Sequence, residues 1–211
     1  MQNELKETER QAFRAVMDTG LWDVMIAGVV SMFAIAPLLS ERLGDFWSSA
    51  VFVPVWACLY LALRVVRRRV VDPRVGVVRF GAKRRARLGR FSAIMVGVNV
   101  VALVGGVVFA LRPEATFAPA IFLGLIILSG FSIAAWFLDI PRFFFYGVLL
   151  VVAAVVGELL FRRGLVSHHG YPVMFGSSAL LIAAIGLLRF AKHLPPRAVS
   201  GGAMEAGGNH E

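Results

Sequence analysis

The chain has 211 residues, is 58% hydrophobic, and carries a formal net charge of +9 with 22 Lys or Arg against 13 Asp or Glu. Soluble domains are typically about 45–50% apolar, and here the excess is grouped into long blocks, which excludes an ordinary soluble domain and points to one membrane-embedded bundle. The single cysteine, Cys58, excludes an intrachain disulfide and a thiolate metal cluster.

Residues 1–20 read as a cytoplasmic amphipathic surface helix. Over 4–18, Leu5, Ala12, Phe13, Val16 and Met17 share an apolar side, and Gly20 is a plausible stop. The stretch carries seven charged residues and no apolar core of a signal peptide, so the first span is expected to act as an uncleaved signal-anchor.

Six spans follow, each near the roughly 20 apolar residues that a crossing needs. They are expected at 21–39, 46–66 (interrupted by Pro54), 91–111, 117–138, 143–161 and 173–190. The transmembrane domain thus runs over 21–194, and a Gly- and Ala-rich tail over 195–211 is expected to be disordered in the cytoplasm. The fold class is all-α, a polytopic helical bundle. The connections Ser40–Asp45, Arg112–Thr116 and Asp139–Arg142 are short enough to join only antiparallel neighbours. In the last of these, Asp139 is expected to cap the fifth span and Pro141 to fit its first turn.

Between spans two and three lies a basic loop, 64–90, with eleven Arg or Lys and one acid, Asp72. With the N-terminus inside, the cytoplasmic pieces hold Lys6, Arg10, Arg14, these eleven, Arg142, Arg189, Lys192 and Arg197, which is 18 of the 22 basic residues. Positive charge collects on cytoplasmic loops, so both ends are expected in the cytoplasm, in the cell inner (cytoplasmic) membrane. Arg162 and Arg163, on the outer side, run against the trend.

Small residues mark where helices can approach: Gly97, Gly105 and Gly106 in span three, Gly124 and Gly130 in span four, Ala153 and Gly157 in span five, Ala179 and Ala183 in span six. They suit packing within the bundle or contact in a homo-oligomer.

The loop carries the clearest partner signal. Arg67, Arg68, Arg69, Arg74, Arg79, Lys83, Arg84, Arg85, Arg87 and Arg90 form a candidate surface for anionic lipid or a protein partner. Clusters of about four to eight basic residues beside a span attract acidic headgroups by about 1 kcal/mol each. Its core, Pro73–Gly81, mixes β-branched, aromatic and basic types and suits a short extended piece at the membrane surface. Nucleic acid is not expected, because Phe80 is the only stacking aromatic there.

Candidates for a polar path are Asn99, Ser129, Ser132 and Glu158; Ser177 and Ser178 open span six. Serines and asparagines within spans more often bond between helices. Glu158 lies about 22 Å along the fifth helix from Phe143, at roughly 1.5 Å per residue, and Arg162 four residues on is in the favourable order for a pair. It reads as an interfacial ion pair or as part of a solute, ion or proton path. Asp23, at the start of span one, suits the helix dipole or pairs with a basic loop residue. His168 and His169 are adjacent but too few for a metal site, so no metal and no cofactor is expected. No catalytic motif is present and no enzymatic activity is expected.

The segment Gly20-Leu-Trp-Asp23, together with Pro73-Arg-Val-Gly-Val-Val-Arg-Phe80, resembles a scattered set of uncharacterised bacterial and archaeal integral membrane proteins, over roughly the first 90 residues. That resemblance implies a class and no activity. Two functions follow from the residues. One is a non-catalytic accessory or scaffold protein acting through lipid or protein partners in a larger membrane complex. The other is a small oligomeric channel or facilitator for an ion or small solute.

Overall fold

The computed structural model describes residues 19–71, 82–111 and 118–192. The surface helix over 4–18, Arg74, Arg79, the extended core Pro73–Gly81 and the 195–211 tail lie outside the described residues. So do the side chains of Lys83, Arg84 and Arg85.

Every described element is helical: α1 (Leu21–Ala50), α2 (Phe52–Val66), a π-helical turn (Arg67–Val71), α3 (Ala82–Ala110), α4 (Ala118–Leu138), α5 (Arg142–Arg162), a 3-10 turn (His168–Gly170) and α6 (Tyr171–Lys192). Five stretches are long and apolar enough to cross a membrane: 21–50, 86–109, 118–138, 142–162 and 168–192. The chain is a multi-pass membrane protein by this measure.

The ends of the later helices follow from local chemistry. α4 closes in a Schellman arrangement: Asp139 takes the left-handed conformation at φ 56°, and the Ile140 N–H reaches the Ala135 carbonyl at 3.1 Å. α5 closes the same way on Gly164, φ 69°, with Gly164 N–H to Phe161 at 2.9 Å and Leu165 N–H to Leu160 at 3.1 Å. Asp139 is therefore the stop of α4 and not the cap of α5, whose N-cap is Pro141 without a side-chain hydrogen bond.

Three boundaries differ from the sequence expectation. The loop at Ser40–Asp45 is helical up to Leu43, and the break is one residue, Gly44, at φ 77° and ψ 162°. Ser-Glu-Arg-Leu are adequate helix formers, whereas that φ/ψ region is essentially reserved for glycine. α3 begins at Ala82, well before Phe91, because Ala, Lys, Arg and Leu over 82–90 carry a helix readily. The basic loop is correspondingly shorter than 64–90. The second span is divided at Val51, and α2 as a separate helix has only 15 residues. Pro54 has no N–H to offer the Ala50 carbonyl one turn back, which explains the interruption.

The helices pack in the order α2, α1, α6, α5, α4, α3, each against the next, with α1 and α6 sharing the most extensive contact. The core is made by α1, α5 and α6. Ala27, Val30 and Ala34 meet Phe143, Leu150 and Ala154 and, from α6, Phe175, Ala179 and Ile182. Phe33 stacks on Phe175 with centroids 5.3 Å apart. No residue in the 86–109 span of α3 is buried, and α2 buries only Phe52.

Candidate functional site

The polar chemistry of the core sits at the two ends of α5. At its start, Asp23 in the first turn of α1 is completely buried. Arg142 donates from Nε to Asp23 Oδ1 at 3.0 Å, and its side chain is 13% exposed. Arg189 of α6 and Tyr146 of α5 lie within electrostatic reach of the same carboxylate, though the Tyr146 hydroxyl and Asp23 Oδ2 do not complete a hydrogen bond. Among the described residues the partner of Asp23 is thus on α5.

This cluster depends on a close approach of α1 and α6. Gly20 caps α1 at φ 79°, and a Cβ there would run into the Gly186 carbonyl. A Cβ on Gly186 would in turn meet Asp23 Cβ and the Gly20 carbonyl, both at 2.9 Å. Gly20 and Asp23, two residues of the motif noted before span one, are the parts that seat α1 on α6 and α5.

At the far end of α5, Glu158 is buried and accepts from Arg162 Nε at 2.9 Å. Its other oxygen meets His169 Nδ1 at 2.8 Å. The His169 ring lies over Phe161, centroids 4.3 Å apart. His168 approaches Glu41 at the end of α1 at 3.2 Å. The 3-10 turn that delivers these rings holds three consecutive left-handed residues, His168, His169 and Gly170, at φ 52°, 54° and 67°. Non-glycine residues adopt that conformation rarely, and the Glu158 bond helps hold it. The turn also borders an open cleft of about 370 Å³ with Phe33, Ser40, Asp45 and Tyr171. Among the described residues no group of three or more His, Cys, Asp or Glu is arranged to hold a metal ion.

Between these ends the core is apolar: Leu150, Ala154, Phe175 and Ile182 are each at most 2% exposed. Ser178 is buried there, but its hydroxyl donates to the Met174 carbonyl in its own helix at 2.8 Å. Ser177 does the same at 3.0 Å, and Asn99 donates to Met95 one turn back at 2.8 Å. These bonds are local rather than between helices. Asn99 and Ser129 are exposed, on α3 and α4, while Ser132 is half-buried on α4. The four polar-path candidates are not gathered at one place.

The basic residues divide by role. Arg68, Arg69 and Arg90 are exposed, and Arg67 is half-buried. Arg87 is engaged inside the chain. It donates to the Trp136 carbonyl at 2.7 Å, lies 3.5 Å from Asp139, and sits 5.8 Å over the Phe137 ring. It satisfies an orphan carbonyl at the C-terminus of α4 and so ties α3 to α4.

Sequence spacing pointed to the Glu158–Arg162 pair. It missed Arg142, Tyr146 and Arg189 around Asp23, which come from distant segments, and His169 beside Glu158, which only the left-handed turn delivers. Compared with known protein families, curated proteins and solved structures, the chain matches none.

Proposed function

We propose that this chain is a non-catalytic protein of the cell inner membrane, six spans with both ends in the cytoplasm, that acts by assembling with anionic lipid and protein partners. The crossing in addition to the five long apolar helices is the second span, taken here as Asp45–Val66. Gly44 breaks the chain before it, Val51 keeps helical angles of −59° and −25°, and the Val51 N–H still bonds the Trp47 carbonyl at 3.2 Å. Taken as one helix with a proline interruption, the segment is about 33 Å long at roughly 1.5 Å per residue, enough for a bilayer core of about 30 Å.

The observation that carries this reading is the placement of polarity in the core. Both carboxylates buried there, Asp23 and Glu158, are engaged by side chains of the same chain at opposite ends of α5, with apolar packing between them. A proton relay through the core would use ionisable groups along its length. The sparsely packed α2 and α3, at the two ends of the helix row, leave apolar faces for lipid or another membrane protein. The exposed Arg68, Arg69 and Arg90 suit acidic headgroups.

Native mass spectrometry from mild detergent or native-lipid discs, paired with flux assays in proteoliposomes, tests this. A retained foreign polypeptide or anionic lipid, with flux at the level of protein-free vesicles, is the expected result. A homo-oligomer that conducts an ion or small solute, with flux reduced by Glu158→Ala, would overturn it in favour of a channel or facilitator.

A further inference from the structure

We infer that the first turn of α1 and the last turns of α2 form a seat for one anionic phospholipid, its phosphate held by Arg64 and Arg67 and its chain lying along Met25 and Leu63. The inference deepens the lipid part of the function proposed above and rests on it. The two helices approach closely at Gly28, where a Cβ would strike the Leu59 side chain and where Trp56 Nε1 donates to the Gly28 carbonyl at 3.2 Å. One to two turns nearer the start of α1 they leave a cleft of about 150 Å³, lined by Trp22, Met25, Tyr60, Leu63, Arg64 and Arg67 along with Leu21.

The lining sorts by chemistry as a phospholipid does. Leu21, Met25 and Leu63 are apolar. Trp22 and Tyr60 are 42% and 51% exposed, and such rings favour the headgroup level. Arg64 and Arg67 are three residues apart, hence on one side of the helix, and the second opens the π-helical turn Arg67–Val71. Guanidinium groups bind phosphate through paired hydrogen bonds, and their stems lie along apolar surface. Among the described residues no acid lines the cleft. A zwitterionic headgroup brings its own cation to two arginines, whereas an anionic one brings none, so the seat discriminates by net charge.

The full-length protein in mild detergent is titrated with phosphatidylglycerol or phosphatidylcholine, and bound lipid is counted by native mass spectrometry. The wild type is expected to retain one phosphatidylglycerol in preference to phosphatidylcholine. Arg64→Gln with Arg67→Gln should lower that preference about thirtyfold, two basic contacts being removed, and the corresponding Lys pair should restore part of it. Arg163→Gln, at the far end of α5 and outside the cleft, should leave the single retained lipid within about twofold, while Arg68→Gln, Arg69→Gln and Arg90→Gln together report on headgroup attraction outside the cleft. Trp22→Leu gives a second route to weaker retention should the double variant not fold. If either folded seat variant (helical by circular dichroism and monodisperse) keeps wild-type retention, the seat is wrong. When that result is accompanied by a loss in the Arg68/Arg69/Arg90 variant, general anionic-lipid binding survives without the seat. A wild type indifferent to lipid charge would remove both the seat and the anionic-lipid reading.

Discussion

Asp23 and Glu158 each accept from an arginine Nε at 3.0 and 2.9 Å, yet their removal should cost different amounts. Asp23 is wholly buried and its partner Arg142 is 13% exposed, so Asp23→Ala leaves a guanidinium with little solvent. Breaking a buried pair from one side costs about 3–5 kcal/mol, while replacing both partners by apolar residues of similar size is often near neutral. Thermal unfolding in detergent should therefore show Asp23→Ala well below the wild type, and Asp23→Leu with Arg142→Met above that single variant. A double variant as unstable as the single one would argue against desolvation as the cause. Around Glu158 the partners are more open: Arg162 is 34% exposed and His169 55%. Glu158→Ala should cost only about 1–2 kcal/mol, since the orphaned donors reach polar surroundings, and vesicle flux should stay at background. The contrast explains what the sequence made legible. Glu158 and Arg162 are four apart on one helix, a spacing with a known geometry. Asp23 and Arg142 are 119 residues apart, so no local rule pairs them, and a buried acid near a helix start looks like a dipole partner until α5 is in place.

At the scale of elements, the tight turn over Asp139-Ile-Pro-Arg142 placed the end of α4 and the start of α5 nearly to the residue, while the break in α1 and the start of α3 were misplaced. The α1 break was placed too early because Ser40–Asp45 is polar, whereas the chain turns only at Gly44. Nothing lies within 4 Å of a Cβ built on Gly44 or on Gly164. Substitution at either is thus a measure of backbone conformation without steric overlap. Gly44 lies in the region essentially closed to other residues, and Gly44→Ala should cost about 1–3 kcal/mol. Gly164→Ala, in the ordinary left-handed well, should cost about 1–2 kcal/mol. Gly20→Ala combines a left-handed φ with a collision against the Gly186 carbonyl and should be the most damaging of the three, separating α1 from α6. Unfolding midpoints in one detergent rank them; Gly20→Ala as mild as Gly164→Ala would mean the α1–α6 approach is looser than drawn. Arg87 also acts at this scale. Neutralising Lys83, Arg84, Arg85 and Arg87 together would mix the loss of charge with the loss of the α3–α4 tie. The variant lacking only the first three is the cleaner probe, and weaker binding to anionic vesicles with an unchanged unfolding midpoint is the expected outcome.

For the whole molecule, the number of helices was largely legible and their neighbours were not. Hydropathy marks each block, but every helix here has apolar residues on most sides, so no stripe says that α1 packs on α6 or that α2 and α3 end the row. Topology rests on the charge bias, against which Arg162 and Arg163 stood out. Glu158 lowers that objection, because its carboxylate balances Arg162 and leaves a smaller net positive charge at the C-terminal end of α5. What decides between five and six crossings is whether Asp45–Val66 passes through the bilayer. Arg42, Ala86 and Ser167 are all exposed and flank the relevant segments: Asp45–Val66 separates the first two, while α3, α4 and α5 separate the last two. In a Cys58→Ser background, single Arg42→Cys, Ala86→Cys and Ser167→Cys variants are treated with a membrane-impermeant maleimide on intact cells and after permeabilisation. Six crossings with the N-terminus inside place Arg42 and Ser167 outside and Ala86 inside. The first and third should therefore label on intact cells, and Ala86→Cys only once the membrane is opened. Labelling of Arg42→Cys and Ala86→Cys under the same condition would mean that α2 does not cross, and the Pro54 interruption would then be a genuine end of the span rather than a kink within it.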